Sequence, residues 1–96
     1  LRAVNLRGAK LEASNLELSN MENANLEDAN FYDADLYGAK LNGANIRHAS
    51  FVNANLEKSS FVQADLRGAD LRSSNIRNAK FDHASLEGAN LKNAIL

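Results

Sequence analysis

The side chains that could carry chemistry in this 96-residue chain are few. His48 and His83 are its only histidines, and neither stands with a serine or cysteine in an arrangement of nucleophile and base. There is no cysteine, which removes thiol nucleophiles, thiolate metal ligands and disulfides together. Asp28, Asp33 and Asp35 offer hard oxygen ligands of the kind calcium takes. His48 with Asp28 offers an ion pair, or two ligands towards a metal that ordinarily takes four. Whether any of these groups converge depends on the path of the chain.

That path is written in a repeat of five. From Leu1 to Leu96 every fifth residue is large and apolar, at all twenty positions. Two residues before each comes a small one: Ala at 14 of 19 places, Ser at Ser14, Ser19, Ser59 and Ser74, and Val at Val4. The residue just before the large one is mostly Asn or Asp, and the one just after is mostly charged. All five glycines fall two places after the large residue, where a turning chain benefits from a permissive backbone.

A period of five fits neither regular element. On an α-helix five residues advance about 140°, so the large side chains would wander round the whole surface. On a strand the period is two, and an odd spacing throws successive large residues onto opposite faces. A short extended piece that points its small and large residues inward, bends and repeats satisfies the pattern, and the result is a solenoid. The period alone leaves three and four sides open. Four sides give a coil of twenty residues, about 4.8 coils and a rod about 23 Å tall. They would also stack Phe31 on Phe51 and Phe61 on Phe81.

The copies Ala24-Asn25-Leu26-Glu27-Asp28, Ala34-Asp35-Leu36-Tyr37-Gly38, Ala64-Asp65-Leu66-Arg67-Gly68 and Ala89-Asn90-Leu91-Lys92-Asn93 resemble the A(N/D)LXX consensus of the pentapeptide-repeat family. The resemblance covers the whole chain. It implies an all-β fold, a right-handed four-sided parallel β-helix, forming one domain over residues 1–96. It also implies a protein without catalytic activity or cofactor. Family members occur in the bacterial cytoplasm, the periplasm and the thylakoid lumen, and a bacterial cytoplasmic setting is slightly favoured here.

On such a coil, residues twenty apart sit one above the other. Asp28, Asp33 and Asp35 then project from different sides, which argues against a calcium site. Glu12, Glu17, Glu22 and Glu27 form an acidic belt, and Arg67, Arg72, Arg77 and Lys80 a basic one. Stacked ion pairs are expected, Glu27 below Arg47 among them. With 11 basic and 12 acidic residues the net charge is −1, so no direct nucleic-acid binding is expected. No apolar run approaches the roughly 18 residues of a membrane span. Tyr32, Tyr37, Val52 and Val62 break the charged pattern with outward bulk. The first three should form a small apolar patch suited to a protein partner.

Phe81, Leu86, Leu91 and Leu96 should line the terminal coil, with Ile95 where Asn or Asp is the rule. That end is expected to associate end to end, with a second copy or with capping sequence beyond these residues; the acidic and basic belts would permit head-to-tail stacking too, but a closed pair of like ends is expected over an open filament. Two functions follow. One is a non-enzymatic, rigid protein–protein interaction scaffold. The alternative, suggested by the quinolone-resistance members of the family, is a DNA mimic that binds DNA gyrase or topoisomerase IV. A mimic of this length would need about 13 negative charges, since duplex DNA carries one per about 1.7 Å.

Overall fold

The computed structural model describes residues 1–96, and its path is set by one turn repeated along the chain. The carbonyl of each large residue accepts the N–H three residues on, as Leu6 does from Ala9 at 2.9 Å and Leu36 from Ala39 at 3.0 Å. The second residue after the large one has positive φ in every repeat, from 55° at Ala3 to 73° at Gly88, while the residue before it does not. That combination defines a type II turn. Glycine is therefore one solution among several: Asn, Asp and His, which tolerate this region, fill many of the remaining places, but Leu18 and Lys58 hold it too.

Between turns the chain is extended just long enough for one residue per side to pair with a neighbouring strand. Every such residue bridges, in parallel, to the residue twenty further on, from Asn5 with Asn25 to Asn75 with Ile95. Twenty residues at five per side make four sides, and three are excluded. The coils are 1–20, 21–40, 41–60 and 61–80, with a last partial coil over 81–96.

The inward register follows the sequence. Met21, Leu26, Phe31, Leu36, Leu41, Ile46, Phe51, Leu56, Phe61, Leu66 and Leu71 are fully buried, with the alanines two places before them. Phe31 stacks on Phe51 at 4.7 Å between ring centroids, and Phe61 on Phe81 at 5.1 Å. The two columns meet across the interior where Phe51 and Phe61 pack edge to face at 6.1 Å. A ring on one side and a ring opposite leave space only for a methyl group or a hydroxyl beside them. At three of the four serines in that position the hydroxyl donates to the turn carbonyl three residues back, Ser14 to Leu11 at 2.6 Å, Ser59 to Leu56 at 2.5 Å and Ser74 to Leu71 at 2.8 Å, while the Ser19 hydroxyl is buried without a partner.

The preference for Asn or Asp just before the large residue now has a cause. The turn leaves the N–H of the residue after the large one without a backbone partner, and the side-chain oxygen two residues earlier accepts it. Asn5 caps Arg7 at 3.1 Å, Asp35 caps Tyr37 at 3.0 Å, Asn55 caps Glu57 at 3.1 Å, and the same bond recurs in every repeat that has Asn or Asp there. Ser60 is too short for this, and the Val62 N–H turns instead to Asn42 Oδ1 one coil below, at 2.9 Å. The caps also stack, Asn45 Nδ2 donating to Asn25 and Asn55 Nδ2 to Asp35.

Burial falls away at both ends. Phe81 and Leu86 are half-buried, whereas Leu91, Ile95 and Leu96 are exposed, Leu96 at 89%; at the other end Leu1 is exposed and Leu6, Leu11 and Leu16 are half-buried.

Candidate protein-binding surface

The turn positions form four corner columns running along the rod, and the outward bulk gathers on two adjacent ones. Tyr32 lies below Val52 on one corner; the residue is 43% exposed and its hydroxyl accepts a hydrogen bond from Asn53 Nδ2 at 3.4 Å. Tyr37 stands on the next corner at the same level, half-buried, with the Lys58 ammonium 5.6 Å from its ring centre. Its backbone N–H is fixed by Asp35, so the ring projects from a capped turn. Val62 sits on a third corner above Asn42, apart from the other three.

The sequence reading missed Leu18. It belongs to the same corner as Tyr37, donates its N–H to the Tyr37 carbonyl at 2.8 Å and lies across Gly38, with 67% of its surface exposed. A leucine there has positive φ and faces water, both unfavourable, in a slot held elsewhere by small or polar residues. The signal was available as an apolar residue two places after a large one, a position where no other apolar side chain larger than alanine occurs. Leu18, Tyr32, Tyr37 and Val52 therefore form one strip over two corners. Glu12 stands below Tyr32, Glu17 beside Leu18 and below Tyr37, Asp33 beside Tyr32 and Glu57 above Tyr37, and none of the four is in an ion pair.

Three expectations about charge need correction. Glu27 pairs with Arg7 below it at 3.6 Å, not with Arg47 above, whose Nε is buried without a partner. His48 does not meet Asp28: its ring lies over Gly68 in the next coil, where the missing Cβ leaves space, and Asp28 faces Arg7 at 3.7 Å. Two of the four residues of the basic belt are neutralised within the chain. Arg67 makes a two-pronged bond to Asp65, with Nη2 2.6 Å from Oδ2, and Arg72 does the same to Asp70 at 2.7 Å. These guanidinium hydrogen bonds hold Asp65 and Asp70 below the usual carboxylate range, against a smaller opposing effect of burial.

No three acidic or histidine side chains converge as a metal site would require, and the surface has no pocket. No helix is long and apolar enough to cross a membrane.

The fold and the repeat can be set beside known proteins. The chain is similar to QnrB1 (R167E, trypsin treated), a plasmid-mediated fluoroquinolone resistance protein, with a TM-score of 0.86 at 20% identity over 98% of this chain and 48% of that one. A second structure of QnrB1 (M102R, trypsin treated) gives 0.58 at 21% identity, over 97% and 58%. The pentapeptide repeat protein alr5209 from Nostoc PCC 7120 gives 0.64 at 28% identity, over 95% and 79%. The chain thus spans about half the length of the first of these. Comparison with curated protein sequences finds no match. The fold is the right-handed β-helix of these structures. The family profile described as pentapeptide repeats matches residues 5–43, 39–78, 49–88 and 59–96, in eight copies. With every coil built from the same capped turn and the profile matching from Asn5 to Leu96, this chain belongs to the pentapeptide-repeat family.

Proposed function

We propose that this chain is a non-enzymatic interaction scaffold, a rigid rod that presents one strip of its surface to a protein partner. The observation that carries the reading is the strip of Leu18, Tyr32, Tyr37 and Val52, apolar apart from the Lys58 ammonium over the Tyr37 ring, and bordered by the unpaired carboxylates of Glu12, Glu17, Asp33 and Glu57. Tyrosine beside aliphatic groups is a common anchor of interfaces, and free charges at the rim select partners of opposite sign. The partner that fits is a protein segment with an apolar or aromatic group flanked by Lys or Arg. A rigid scaffold loses little freedom on binding, so a modest strip suffices.

The competing reading, a DNA mimic acting on gyrase or topoisomerase IV, asks for a continuous negative surface. The net charge is −1, and Asp65 and Asp70 are each covered by an arginine. Two assays separate the readings. Random peptides displayed on phage and selected on the immobilised chain are expected to be enriched in Lys or Arg beside a large apolar residue. A gyrase supercoiling assay is expected to show no inhibition. Potent inhibition, or selected peptides rich in Asp and Glu, would overturn the scaffold reading.

A further inference from the structure

One corner of the coil carries a pair of residues that can react with each other. Of the chain's asparagines only Asn42 stands before a glycine. In such a pair the Gly43 nitrogen gives up its proton and bonds to the Asn42 side-chain carbon Cγ, the Cγ–Nδ2 bond breaks, ammonia leaves, and a five-membered imide remains. Water then opens the imide at one of its two carbonyls. The products are an aspartate in the ordinary backbone, or an isoaspartate whose chain runs through Cγ and is one atom longer. A side chain on the following residue crowds the attacking nitrogen, so Asn23, Asn53 and Asn78, each followed by alanine, are poorer sites.

The fold needs both residues of the pair. Gly43 has a φ of 69°, and the Asn23 side-chain oxygen lies where a Cβ on Gly43 would stand. Asn42 supplies the oxygen that Ser60 cannot, since its Oδ1 accepts the Val62 N–H at 2.9 Å and the Ser60 hydroxyl at 2.5 Å. These same bonds keep the pair from reacting. They hold the side-chain carbonyl on the segment passing above, while the Gly43 N–H donates to the Val62 carbonyl at 2.9 Å, where base does not reach it. A type II turn also holds ψ of its first central residue near about +120°, which points the Gly43 nitrogen away from the Asn42 Cβ, whereas ring closure needs the two eclipsed.

From this geometry we infer that Asn42-Gly43 is a cryptic deamidation site, closed while Ser60 and Val62 lie on it and reactive when that corner opens to water. Either product weakens the corner. The aspartate sets a carboxylate directly above Glu22, and the isoaspartate adds a backbone atom to a ladder in which every bridge joins residues twenty apart.

Peptide mapping by mass spectrometry, with the isoaspartyl peptide separated by chromatography, tests this in mildly alkaline buffer. Asn42 in the folded chain is expected to react on the order of a hundredfold more slowly than in concentrated guanidinium chloride, the effect of three hydrogen bonds that must first break. Ser60→Ala removes one of the three and should speed the folded-state reaction about fivefold. Ser74→Ala removes a buried hydroxyl bond elsewhere, to Leu71 at 2.8 Å, and should leave the rate unchanged. A folded chain that reacts as fast as the unfolded one would overturn the inference. So would an Asn42 that stays intact in guanidinium chloride, a Ser60→Ala variant no faster than the unchanged chain, or equal acceleration by the two serine variants.

Discussion

Phe31 and Phe51, twenty residues apart in the chain, lie with ring centroids 4.7 Å apart and planes 1° from parallel. Such a column ties the stability of each coil to that of its neighbours, because a ring removed from one leaves a void against the next. Phe51→Ala is expected to destabilise the chain by about 3–5 kcal/mol and Leu56→Ala by about 2–5 kcal/mol, whereas Glu57→Ala should cost under about 0.5 kcal/mol. Denaturant unfolding measures all three, and equal losses at Leu56 and Glu57 would mean that the inward register is wrong.

The side-chain cap makes a sharper distinction. Asn30 Oδ1 accepts the Tyr32 N–H at 3.0 Å, and Asp would accept it as well, with Lys10 below and Ser50 above it in the column and so no carboxylate to oppose it. Asn30→Ala should cost about 1 kcal/mol and Asn30→Asp clearly less, read as a shift in denaturation midpoint. Equal losses would show that the cap oxygen contributes nothing.

Much of this was legible from the period of five. It excluded helix and long strand, and it assigned every inward residue correctly, from Met21 to Leu71. What it could not show was local. A repeat places Arg7, Glu27 and Arg47 in one column without saying whether Glu27 reaches up or down. Positive φ at Leu18 and Lys58 is imposed by the turn against residue preference, so nothing in those two residues announced it. The preference for Asn and Asp was visible, but its cause needed the unpaired N–H of the turn.

His48 and Gly68 form a steric pair across two coils. A Cβ at Gly68 would run into the His48 ring, whereas one at Gly8 would meet nothing, and both glycines have positive φ. Gly8→Ala should cost about 1 kcal/mol for the backbone alone. Gly68→Ala should cost more, and His48→Ala should remove the excess. A double-mutant cycle by thermal unfolding checks this, with additive losses contradicting it.

Acid should find the pairs of Arg67 with Asp65 and Arg72 with Asp70. Their hydrogen bonds lower the carboxyl pKa in the folded state. The stabilisation is therefore complete above the unfolded value of about 4 and is lost as pH falls through the lower folded value. Asp65→Asn with Asp70→Asn, which keeps the side-chain caps, should flatten the fall in stability across that window. An unchanged pH profile would show that neither pair holds in solution.

The most direct test of the scaffold reading compares corners. A peptide selected on the chain is titrated by calorimetry against Tyr32→Ala and Tyr37→Ala on the apolar corners, and against Arg47→Ala and Val62→Ala on the other two. The account predicts losses above about 1 kcal/mol for each tyrosine and near zero for the others, with circular dichroism unchanged throughout. Binding indifferent to both tyrosines, or weakened equally at all four corners, would contradict it.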